Sequence, residues 1–185
     1  GPFLPFESKL PHTPMGQMCL DGTLWVENGT PYMIYCHEWV EMMDGTMELV
    51  ELKPDLSGTV GQPIRLFCAS AAEWSTGSLR EDGTRTYVTD GCFLYRTQTG
   101  KLLMIWSSFK NGEYAIGIAE SMTGKVFGPW KQQKEPLFDK HGGHGMIFKT
   151  FDGRLCLVLH APNSPGGAER AHIFEIEDLG HTLKL

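Results

Sequence analysis

Short apolar runs broken at regular offsets by turn dipeptides set the pattern of this chain. From Asp21 to His37 it opens on a polar residue and Gly, passes through an apolar run to Asn28-Gly29, and returns through residues 32–36, apolar at almost every position. Asp90 to Ser107 repeats that order around Thr99-Gly100, and His144 to His160 repeats it around Asp152-Gly153. A tight turn between two such runs predicts a β-hairpin with a buried second strand. Asp21 and Asp90 stand 69 residues apart, and Asp90 and His144 stand 54 apart. A hairpin recurring at such intervals is the signature of propeller blades, so the residues heading the copies should recur in space as well.

The remaining apolar runs extend each hairpin. Residues 47–52 alternate with period two, and residues 63–67 are headed by Pro63 as edge strands often are, completing a four-stranded first blade. The second unit reads as strands at 87–93, 101–106, 114–119 and 135–138. The third reads as 145–148, 155–159 and 171–176, with only 182–185 left for a fourth strand. No segment carries a helical period, so the fold class is all-β: a single partial propeller domain over residues 1–185, with repeats at about 19–68, 87–138 and 141–185. Residues 1–18 hold four prolines and read as an extended lead-in, and Gly1 is compatible with an expression remnant. Residues 68–86 form a long polar connection, the kind of loop that commonly carries function. Three blades fall short of the four to eight of closed propellers. The expected completion is an N-terminal blade segment or a second chain.

Composition narrows the partners. At 185 residues, 41% hydrophobic and 21% charged, the chain can bury one sizeable core. Its net charge of -6 and scattered basic residues give no footprint for nucleic acid. No apolar run approaches a membrane span and no leader pattern precedes Met15, so a soluble chain is expected. The five cysteines are odd in number and lack a C-x-x-C pair; Cys36, Cys92 and Cys156 fall inside predicted strands, where packed thiols are the simplest reading.

At the openings of the repeats the chain resembles glycoside hydrolase family 43, the five-bladed β-propeller arabinanases, arabinofuranosidases and β-xylosidases. Leu20-Asp21-Gly22 with Asn28-Gly29 and Tyr32 is similar to the family's aspartate-bearing blade motif. Thr89-Asp90-Gly91-Cys92-Phe93 with Gly100 and Trp106-Ser107 is similar to its acid motif, with Asp90 where the family usually has Glu and Cys92 in place of Pro. Gly128-Pro129-Trp130 resembles the end of that blade, and Gly143-His144-Gly145 with Asp152-Gly153 and His160 resembles the histidine blade. The resemblance runs over residues 15–178. It implies an inverting glycosidase acting on arabinofuranosyl or xylosyl linkages of plant oligo- or polysaccharides, in a secreted or periplasmic setting. It also implies a catalytic base on a blade upstream of Asp21 and Ca²⁺ in the central channel near His144, held largely through water.

Inverting hydrolysis needs one carboxylic acid for the leaving oxygen and one carboxylate for the attacking water. Asp90 is the expected general acid, with Asp21 tuning its pKa and orientation. Five Asp-Gly pairs occur, and Asp44, Asp82 and Asp152 are turn residues, but Asp21 and Asp90 precede strands. His37 and His160 end the second strands of their units, where they either line the mouth of the site or cap a blade. Trp74, in the polar connection, is the candidate for stacking on a sugar, whereas blade packing is expected of Trp106 and Trp130. Arg170 resembles an arginine on the family's last blade. The competing reading is a silent carbohydrate-binding propeller that keeps the pocket without the base; a propeller used for protein interaction gives no reason for ionisable residues to head each blade.

Overall fold

The computed structural model describes residue 2 and residues 4–185; Gly1 lies outside the described residues. Three antiparallel sheets follow one another along the chain. The first runs β1 (Cys19–Glu27), β2 (Thr30–His37), β3 (Thr46–Leu52) and β4 (Thr59–Cys68), in that spatial order. A four-residue helix, α1 (Trp39–Met42), bridges β2 and β3, and the connection after β4 holds a 3₁₀ turn and a small hairpin, β5 (Ser78–Leu79) with β6 (Arg85–Thr86). The second sheet is β7 (Asp90–Arg96), β8 (Leu102–Lys110), β9 (Glu113–Ser121) and β10 (Trp130–Gln132). The third is three-stranded, β11 (Gly143–Lys149), β12 (Leu155–Ala161) and β13 (Arg170–Glu175), followed by a separate pair, β14 (Glu177–Asp178) with β15 (Leu183–Lys184). β1 lies against β7 and β7 against β11, so the innermost strands line one axis as in a propeller.

Two expectations are corrected. The fourth strand of the second blade is Trp130–Gln132 paired with Ala119–Ser121, while Phe138 makes only a single bridge to Ile116. The apolar side chains of 137–138 pack into the core without continuing the sheet. In the third blade, Leu183–Lys184 pairs with Glu177–Asp178 instead of extending the blade.

β8 shows why the blades stack. Its side chains alternate faces: Leu102, Met104 and Trp106 enter the core shared with the first blade, and Leu103 and Ile105 enter the core shared with the third. Each of these five is fully buried. The first core adds Ile34, Met47 and Leu49, and the second adds Ile147, Leu157 and Leu159. Cys36, Cys92 and Cys156 are buried free thiols. The outer faces of the stack are different. Leu24 and Val26 on the first blade, and Met146 (54% exposed), Phe148 and Ile173 (64% exposed) on the third, present apolar side chains to solvent.

Each innermost strand carries the same irregularity. Register shifts fall between Leu20 and Thr23, between Asp90 and Phe93, and between Gly143 and Met146, with two residues opposing one on the partner strand. The first residue of each bulge has positive φ: Asp21 at 57°, Gly91 at 48° and His144 at 52°. Aspartate, glycine and histidine tolerate this region better than most residues. The spatial equivalents are therefore Asp21, Gly91 and His144, and Asp90 sits one residue earlier, level with Leu20 and Gly143.

Candidate active site

The bulges bring three ionisable side chains together. One ligand-capable atom each from Asp21, Asp90 and His144 lies within 4.8 Å of the others. His144 Nδ1 is 3.6 Å from Asp90 Oδ1 and 3.8 Å from Asp21 Oδ2. The left-handed slot turns Asp21 and His144 inward from their blades, and the glycine in the equivalent slot makes room: a Cβ on Gly91 would stand 2.7 Å from His144 Cα. The Gly91 N–H donates to Asp21 Oδ2 at 3.1 Å, and the His144 N–H donates to Ser107 Oγ at 2.8 Å. Each blade thus holds the next by a hydrogen bond at the site itself.

Asp90 is a strongly perturbed carboxyl. Burial disfavours its charged form, and a hydrogen bond with Asp21 adds to this. A bond donated by Tyr114 Oη to Asp90 Oδ2 at 2.5 Å works in the other direction, and the balance pushes Asp90 up to about 8. Tyr114, held well above the ordinary phenol range by burial and then by the Asp90 charge, remains a donor. His160 stacks on Tyr114 at 5.6 Å between centroids and bonds Asn163 through Nε2. Glu38, the residue after β2, is half-buried and raised by burial and then by the charge of Asp21.

As a cation site, the cluster offers two carboxylates and one imidazole. Ca²⁺ takes six to eight oxygen ligands, so these residues fit an ion that keeps most of its water.

A model of the glycosyl hydrolases family 43 matches residues 1–176. The chain belongs to family 43. Among solved family 43 structures, the endo-arabinase from Bacteroides thetaiotaomicron VPI-5482 is 46% identical, with a TM-score of 0.87 over 96% of this chain and 62% of that one. A thermostable family 43 glycoside hydrolase is 24% identical, with a TM-score of 0.78 over 94% of this chain and 59% of that one. An endo-1,4-beta-xylanase from the same Bacteroides strain is 18% identical, with a TM-score of 0.74 over 96% of this chain and 61% of that one; these last two likenesses show the fold alone. No curated protein matches. The chain spans about three fifths of the length of the solved structures it matches, and the five-bladed propeller of family 43 is the frame into which its three sheets fit.

Against that family 43 frame, several expected contacts move. Trp74 is not a sugar platform on a loop: it is 3% exposed, its ring lies 4.9 Å from Trp106, and a Cβ on Gly117 would stand 2.2 Å from it. His37 does not line a mouth, being buried between Glu48 at 3.1 Å and Glu41 at 3.0 Å. Burial works against its protonation, but the hydrogen bonds to Glu48 and Glu41 outweigh it and raise the pKa. Among the described residues, His160 is linked to the cluster through Tyr114, on which it stacks. Arg170 is exposed and donates to the carbonyls of Gly167 and Glu169. Trp106 is fully buried as expected, with its indole N–H donated to Gln132 at 2.9 Å, whereas Trp130 is only half-buried. Tyr114, Ser107 and Glu38 were missed by sequence reasoning; the last follows the strand-ending His37 directly, so its position beside the start of β1 was the available signal.

Proposed function

We propose that the protein carrying this chain is a glycosidase that hydrolyses plant polysaccharide by inversion, with arabinofuranosyl linkages favoured over xylosyl ones. The convergence of Asp21, Asp90 and His144 on one axis carries the reading, because it gathers two carboxyls and an imidazole where blades meet, with Asp90 pushed up by burial. The preference for arabinan rests on the 46% identity to the endo-arabinase, against 18% to the xylanase.

In this scheme Asp90 holds a proton near neutral pH, with Asp21 beside it to orient it. Asp21 and Asp90 are in contact, whereas an inverting acid and base stand about 6.5–9.5 Å apart to admit a water. The base therefore belongs to another carboxylate, on a blade completing the propeller. A hydrated Ca²⁺ in the channel would be faced by His144 and Asp21 and held largely through its own water, leaving the Asp90 proton in place.

The test is an assay of the full gene product on linear arabinan and on 4-nitrophenyl α-L-arabinofuranoside and β-D-xyloside, beside calorimetry with arabino-oligosaccharides. Release of sugar or 4-nitrophenol, lost in Asp21→Asn and in Asp90→Asn, is expected. Binding without release would favour the silent carbohydrate-binding reading, and neither binding nor release would sink both.

A further inference from the structure

We infer that Glu113, His141 and Ser164 form a second catalytic site, separate from the aspartate cluster, that hydrolyses acyl esters through a covalent acyl group on Ser164. The inference does not depend on the hydrolytic reading above.

Three segments at one end of the blades supply the site. Glu113 opens β9 beside Tyr114, whose hydroxyl bonds Asp90. His141 lies three residues before His144, and Ser164 follows β12, just beyond the His160 that pairs with Gly143. His141 Nδ1 is 2.8 Å from Glu113 Oε2, and His141 Nε2 is 2.7 Å from Ser164 Oγ. These contacts set the tautomer. The Tyr114 N–H also points at Nδ1, but at 3.4 Å, so the shorter contact with the carboxylate places the proton on Nδ1. Nε2 keeps its lone pair and accepts the Ser164 hydroxyl. A nucleophile, a base and a third group orienting the base, drawn from distant parts of the chain, are the geometry by which such sites are recognised.

The surroundings suit acyl transfer. Ser164 is exposed, and its loop is closed by other bonds. The Asn163 N–H donates to His141 O at 2.8 Å, His160 Nε2 meets Asn163 Oδ1 at 2.9 Å, and the Ala168 N–H donates to Pro165 O at 3.0 Å. The Ser164 hydroxyl is therefore not needed as a clasp. Among the described residues the N–H groups of Ser164 and Gly166 donate to no acceptor, and a Cβ on Gly166 would meet nothing within 4 Å. Two free N–H groups at the nucleophile, with open space beside them, can take the oxyanion of a tetrahedral intermediate. At so exposed a site an ester suits better than an amide, because an alcohol is the better leaving group.

The reaction balances with water as the only co-reactant. Ser164 Oγ adds to the ester carbonyl carbon while its proton passes to His141 Nε2. The bond from that carbon to the alcohol oxygen then breaks, and the alcohol departs with the proton. Water adds to the acyl carbon and gives a proton to Nε2; the acid leaves as Ser164 Oγ takes that proton back. Glu113 touches no substrate and is a positioning residue, holding the imidazole and facing its positive charge.

The full gene product should be treated with a fluorophosphonate probe and assayed on 4-nitrophenyl acetate. A covalent adduct on Ser164, formed with loss of fluoride and located by peptide mass, is expected, together with a burst of 4-nitrophenol. Ser164→Ala should remove both. His141→Asn, with a residue that tolerates the φ of 53° at this position, should slow both by about 10²–10⁴-fold. Glu113→Gln should lower kcat and leave KM unchanged. Absence of a Ser164 adduct on the folded wild type overturns the inference, whether or not a variant folds. Ester hydrolysis that is equal in Ser164→Ala overturns it as well.

Discussion

Asp90 is where a single side chain couples the site to the stability of the chain. An unfolded aspartate titrates near 3.9, and in the folded protein burial and the bond to Asp21 push Asp90 up to about 8. Between those values the folded state binds the extra proton. Its contribution is therefore complete below about pH 4 and is lost as pH rises toward 8. Asp90→Asn keeps the shape and removes the titration, so urea midpoints measured at pH 5, 6.5 and 8 should fall less steeply for the variant than for wild type; parallel slopes would contradict the assignment. Asp21, Asp90 and His144 were legible in the sequence because each stands beside glycine at the head of a repeat. The offset of Asp90 by one position was not, because Asp21-Gly22 and Asp90-Gly91 are the same dipeptide and only the backbone shows which member takes the left-handed slot.

At the scale of elements, the hairpins were readable and the connections were not. The turn dipeptides and apolar runs located β1, β2, β7, β8, β11 and β12 to within a few residues. β10 escaped notice since Trp130–Gln132 is short and mostly polar, whereas the more apolar stretch that ends at Phe138 mimics a strand. The connection between β4 and β7 looked like a solvated loop from its polar composition, yet it carries Trp74 into the first core. Replacement of a large buried aromatic costs about 3–5 kcal/mol. Trp74→Ala should therefore lower the urea midpoint sharply, and the affinity for arabino-oligosaccharide, measured where the variant is still folded, should be unchanged. A selective loss of affinity would restore Trp74 to the sugar-contacting set.

For the whole molecule, the propeller class followed from the repeat spacing, and the expectation of a completing segment or second chain followed from counting three blades against the four to eight of closed propellers. The third blade's open face, with Met146, Phe148 and Ile173 on alternate positions of β11 and β13, is the kind of apolar patch that seeks a partner. Phe148→Lys with Ile173→Lys should reduce light scattering and dye binding by the 185-residue chain with little change in its urea midpoint; unchanged scattering would mean that this face does not drive association. The hydrogen bonds that cross from blade to blade at the bulges, Gly91 to Asp21 and His144 to Ser107, bear on descent and design. A blade copied, transplanted or shuffled by itself would bring half of each junction and leave the other half behind. Recombination that respects this chemistry has to cut within blades, through the outer strands, and pass on neighbouring inner strands as an inseparable pair.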